Sequence, residues 1–249
     1  MKHAFSLVEL SIVLVILGLL TGGILTGQNL IRAAELRSLT TDTQRYQAAI
    51  HTFRDKYFGL PGDLSNAEAF WGTDPDGCPS HTNYVAKTET CNGNGNGLID
   101  TSNEQFRFWQ QMAAAGLIEG SYTGVAGSGS ATHSIPSVNV PAARISSVGF
   151  SISNLGNDYS SASVFLGDYG NSFEIGMARA TGRTIEPMLT PTEMWGIDKK
   201  LDDGMPGRGK IVAYNWDDCT DAADNTDADA DYALNTSAIE CSYYYRNLF

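Results

Sequence analysis

Apolar residues fill almost every position from Phe5 to Leu25, FSLVELSIVLVILGLLTGGIL, and then thin out to a recurrence every three or four positions. About 20 residues of helix cross a hydrocarbon core of roughly 30 Å, so the first pattern predicts a membrane-spanning helix. The second predicts an amphipathic continuation through IRAAELRSLTTDTQRYQAAIHTFRDKYF. Leu36, Leu39, Tyr46, Ile50, Phe53 and Tyr57 form its apolar stripe, and Arg32, Glu35, Arg37, Asp42, Arg45 and Arg54 take other positions. No proline interrupts Phe5 to Phe58, which predicts one rod of roughly 80 Å at 1.5 Å per residue. Gly18, Gly22, Gly23 and Gly27 are its soft points, serving close packing or local melting; small residues are equally ordinary in membrane helices.

Beyond the Gly59-Leu60-Pro61-Gly62-Asp63 stop, the periods shorten. Ser65 and Glu68 have capping-box spacing for a short helix to Trp71, and Ser102 with Gln105 opens another through FRFWQQMAAAGLI. That second helix places Phe106, Trp109, Ala113 and Leu117 on one face. Thr190-Pro191-Thr192-Glu193 starts a third helix, to about Leu201. Runs at Arg144–Ser153, Ala162–Leu166, Ser172–Ala180 and Lys210–Trp216 predict an antiparallel sheet. Its core would be Ile145, Phe150, Ile152, Val164, Phe165, Phe173, Ile175, Ile211 and Val212. The expected fold class is α+β, a long N-terminal helix (5–58) packed on an antiparallel β-sheet head (59–249) with short helices and loops.

Charge narrows the function. The 249 residues carry a formal net charge of −12, which argues against binding to phosphate backbones, since that needs clustered Lys and Arg. The four cysteines, Cys78, Cys91, Cys219 and Cys241, all follow the apolar run, and in an oxidising compartment they predict two disulfides. Three pairings are possible; the local pairs, Cys78 with Cys91 and Cys219 with Cys241, are favoured because each closes a short loop. Zinc is the rival reading, without a C-x-x-C pair or a suitably spaced histidine to support it.

Glu9 is the single charge in the apolar run, and a carboxylate inside a membrane costs about 2.5 kcal/mol or more unless a partner offsets it. The string Ala4-Phe5-Ser6-Leu7-Val8-Glu9-Leu10, followed by Ser11-Ile12-Val13-Leu14-Val15-Ile16-Leu17-Gly18, resembles the class III signal of type IV pilins and type II secretion pseudopilins. The resemblance implies removal of residues 1–4 by a prepilin peptidase, N-methylation of Phe5, and pairing of Glu9 with a neighbouring subunit's amine in a filament. Where that family usually has Gly before the cut, this chain has Ala4, which is also small. It further implies a single-pass inner-membrane protein that waits in the lipid bilayer, engages an assembly platform, and enters a periplasmic or extracellular filament. LPGDLSNAEAFWG, FRFWQQMAAAGLIEG and IDKKLDDGMPGRGK are similar to segments of pilin-like heads, a less specific likeness over most of the chain. Pilus and secretion pseudopilus both remain open.

Three stretches carry candidate chemistry. Asn92-Gly93-Asn94-Gly95-Asn96-Gly97-Leu98-Ile99-Asp100 matches an EF-hand calcium loop, with Asn92, Asn94, Asn96, the Leu98 carbonyl and Asp100 as ligands. Its first ligands are neutral amides, and position 12 is Asn103 with Glu104 one step late; an Asn-Gly turn tract explains the same residues. Asp198, Asp202 and Asp203 oppose the dipole at the end of the third predicted helix, where turn capping or a cation would offset them. Asp217, Asp218, Asp221, Asp224, Asp227, Asp229 and Asp231 form an acidic run bounded by Cys219 and Cys241, read as a solvated loop. In the resemblance it takes the place of the pilins' variable surface loop, a contact surface for subunits or a target. His3, His51, His81 and His133 complete no catalytic motif, so the expected role is structural rather than enzymatic. A membrane-anchored binding module is the alternative to a filament subunit.

Overall fold

The computed structural model describes residues 7–78 and 85–248. Ala4 and Phe5, the expected processing residues, and His81 lie outside them. The chain divides into two compact units, residues up to Ser38 and residues 39–249, and the division falls within the long helix.

Helix α1 runs Leu7–Tyr57, as the unbroken helical pattern without proline demands. In the first unit its apolar residues face outward, and no residue in a window long and apolar enough to cross a membrane is buried. Within the second unit Leu39, Thr43, Tyr46, Ala49, Ile50 and Phe53 are buried at helical spacing, whereas Tyr57 is only half-buried.

Six further helices and strands precede the middle of the head: α2 (Glu68–Trp71), α3 (Ser102–Ala114), β1 (Val148–Asn154), β2 (Tyr159–Ser161), β3 (Val164–Gly167) and β4 (Asn171–Ala178). Then come β5 (Thr184–Glu186), α4 (Pro191–Leu201), β6 (Ile211–Tyr214), α5 (Trp216–Cys219) and β7 (Ser242–Tyr245). The antiparallel sheet has the order β1-β4-β7-β6-β3-β2, with β5 on β4. Phe150 pairs with Ile175, Ile152 with Phe173, and Phe173 with Tyr245, which puts these side chains on one face. The Tyr46 ring of α1 meets Phe150 at 5.0 Å and Trp109 of α3 at 5.1 Å over that face. Ser151, Glu174 and Tyr244 occupy the other face, which is buried as well.

Several local expectations shift. Thr101, not Ser102, caps α3 through a capping box with Glu104, and Ser65 does not cap α2, whose first N–H instead donates to Asn92 Oδ1 at 2.9 Å. Helix α3 buries Glu104 to Met112 continuously, Arg107, Gln110 and Gln111 included, because it lies inside the head rather than on its surface. β1 starts at Val148: the Val148 N–H donates to the Ile145 carbonyl in a turn, which leaves Ile145 half-buried. The Thr190 box with Pro191 at the first position of α4 forms as its residues predict.

Candidate functional site

In the first unit, α1 presents Leu7, Val8, Leu10 and Ile12–Leu17 to its surroundings, each at least half exposed, with Glu9 in its first turn. Water does not suit such a surface; lipid or other apolar helices do.

The Asn-Gly loop is built around an anion. The carboxylate of Asp63, from the turn that follows α1, accepts the N–H groups of Gly95 at 2.6 Å, Asn96 at 3.2 Å and Gly97 at 2.8 Å. Successive backbone N–H groups converging on one centre form an anion-holding nest, and here the chain supplies the anion. The amide oxygens proposed as ligands have partners inside the protein: Asn92 Oδ1 takes the Glu68 N–H, Asn94 Oδ1 the Asn96 N–H at 2.9 Å, and Asn96 Oδ1 the Leu98 N–H at 2.8 Å. Asn96 Nδ2 donates to Asp100 Oδ2 at 3.3 Å, and Glu104 accepts the N–H groups of Asn94, Asp100 and Thr101. Burial pushes the Glu104 carboxyl up, and the nearby Asp100 adds to this against the hydrogen bonds from Thr101 and Asn94. Gly93 is required because a Cβ there would lie 2.3 Å from Asp63 Cα. Gly62 combines a φ of +83° with a Cβ position 2.3 Å from the Glu104 carbonyl oxygen. Together these contacts fasten the end of α1 to α3 and the loop.

Asp198, Asp202 and Asp203 come within 4.8 Å of one another. Asp198 is buried; its Oδ2 accepts the Tyr232 hydroxyl at 2.7 Å and its Oδ1 the Gly204 N–H at 3.2 Å. Burial pushes the Asp198 carboxyl up to about 7, against those two hydrogen bonds, and Asp203 and Asp202 push the same way. Asp202 accepts the N–H groups of Lys210 and Ile211, and Asp203 that of Met205, so this is turn capping carried out by carboxylates.

The structure pairs Cys78 with Cys91 and Cys219 with Cys241, the local pairs. The second disulfide bounds the loop with Asp221, Asp224, Asp229 and Asp231, which are exposed, as are Asp217 and Asp218 just before Cys219; Arg208 reaches Asp229 at 2.6 Å. The contact of Tyr232 with Asp198 ties this segment to α4.

Sequence reading missed two charged centres. Fully buried Arg107 donates to Asp74 Oδ2 at 2.6 Å, and Lys87 reaches Asp74 Oδ1 at 2.8 Å as well as Asp76. Burial pushes Asp74 up, but the bonds from Lys87, Arg107 and the Asp76 N–H outweigh it and hold the carboxyl well below the usual range. Glu174 is fully buried between Ser153 and Arg183, whose Nε lies 3.5 Å away, and burial pushes its pKa up. The only signal for either was a charge inside an apolar run, Arg107 in FRFWQQ and Glu174 in SFEIG.

The chain matches no protein-family model, no curated protein and no solved structure.

Proposed function

We propose that this chain is a subunit of a type IV pilin-like filament, cut between Ala4 and Phe5, held in a membrane by the apolar half of α1, and then assembled through that same half. The observation that carries the reading is a helix whose entire apolar window is exposed and which bears one carboxylate, Glu9, in its first turn. A lone membrane anchor needs the apolar surface but not a carboxylate, which is costly in hydrocarbon. An amine at residue 5 of a neighbouring copy would lower that cost and set the axial register between subunits. Electron microscopy of filaments sheared from expressing cells, with the head immunolabelled, tests the reading. Label along or at the end of filaments is expected, and label confined to membranes with no filaments contradicts it.

A second reading, a membrane-anchored recognition head, rests on the exposed acidic run bounded by Cys219 and Cys241. It predicts that the detergent-solubilised full chain remains monomeric and keeps Met1.

A further inference from the structure

Helix α1 closes in an unusual way. The Phe58 N–H donates to the Arg54 carbonyl at 2.9 Å, and φ of +57° places Phe58 in the left-handed region, where glycine or asparagine is the usual occupant. The Phe58 side chain is nevertheless 93% exposed, so neither backbone preference nor burial inside the head accounts for an aromatic residue there. A backbone outlier combined with an exposed aromatic ring points to a contact made outside the chain. The neighbouring residue extends the surface: Tyr57 packs against Phe70 at 5.0 Å and Trp71 at 5.1 Å, Phe70 is 51% exposed, and buried Phe53 holds the group from below at 4.5 Å from Tyr57. Beside it a cleft of about 780 Å³ is walled by Phe58, Leu60 and Leu64, with His51, Arg54 and Asp55 also lining it.

We infer that the aromatic end of α1, Phe58 with Tyr57, Phe70 and Trp71, is a docking surface for the apolar N-terminal helix of a second copy of this chain. This rests on the filament reading. The chain itself carries the complementary surface. Leu30 and Ile31, 67% and 63% exposed among the described residues, lie beyond the roughly 20 residues that lipid would cover from Phe5. Aromatic side chains are the usual anchors of protein interfaces, and an aliphatic helix is the counterpart that buries them without an unpaired charge. Aromatic end and apolar helix are different surfaces, which makes the contact heterologous: each copy offers one and fills the other, and the series stays open as a filament requires.

The test uses the full chain in expressing cells, with benzoylphenylalanine incorporated at position 58 and the irradiated filament fraction digested and mapped. The expected product is a covalent dimer joined from residue 58 to a peptide within residues 5–37 of the other copy. Filaments in which position 58 reaches only lipid, or a head residue, overturn the docking surface and leave the filament reading standing. A parent chain that makes no filaments overturns both. Phe58→Asn provides the second arm, because asparagine suits the left-handed backbone and water. Its head should melt no lower than the parent's, while filament yield drops about tenfold or more, as expected when a buried aromatic contact is lost. Unchanged yield contradicts the inference.

Discussion

Residues 7–38 and residues 39–248 depart in opposite ways from the rule that apolar side chains lie inside and charged ones outside. The first unit turns leucine, isoleucine and valine outward along a helix, from Leu7 at 85% exposed to Ile31 at 63%, and buries none of its apolar window. The second hides charge: Arg107, Asp74, Glu174 and Asp198 are each at most 2% exposed. What separates them is the surroundings each is made for. The head holds its buried charged groups beside hydrogen-bond donors or an opposite charge. The exposed apolar face of the helix gains nothing from water, and an apolar surrounding suits it.

The comparison breaks most sharply at Arg107. Arg107→Ala leaves Asp74 buried with one partner fewer and should destabilise the head by about 3–5 kcal/mol in denaturant titration of the detergent-solubilised chain. A loss below about 1 kcal/mol would mean that solvent reaches this centre. Opening the second disulfide with Cys219→Ser and Cys241→Ser together should cost about 3 kcal/mol and free the acidic segment to proteolysis, leaving α1 intact.

A smaller effect comes from Asp198. Its carboxyl is raised from the ordinary 3.8 to about 7 in the folded chain, which therefore holds the proton more tightly than the unfolded chain. Stability from this group is full below about pH 4, falls as pH rises towards 7, and is flat above that. A decline on the order of 2 kcal/mol or more across the window is expected. Asp198→Asn should remove that slope, and an unchanged slope would place its origin elsewhere. The smallest effect is at Asp63: Asp63→Asn should lower stability by about 1–2 kcal/mol by weakening three N–H contacts.

Local codes were legible in the sequence. The apolar run and the unbroken helix needed only composition and period, the Thr190 box sits within four residues, and the disulfides close loops of 13 and 22 residues. Pairings between distant residues were not. β7, Ser-Tyr-Tyr-Tyr, lies inside the sheet between β4 and β6, yet four residues are too few to show a period, and only the distant partners fix its place. The calcium-like spacing of Asn92, Asn94, Asn96, Leu98 and Asp100 was visible, but Asp63, about which the loop closes, comes from 32 residues upstream of Gly95. Asp74 and Arg107 are 33 residues apart. Sequence reading saw the charges and turns one by one, and folding decided which of them meet.

The central claim, that the apolar half of α1 serves lipid first and neighbouring copies afterwards, is tested most directly by the mass of the mature N-terminus. Mass spectrometry of the chain from native membranes should find it beginning at Phe5 with a methylated amine, the group that the filament reading sets beside Glu9 of another copy. An intact Met1 would contradict the account and leave the helix as an ordinary anchor.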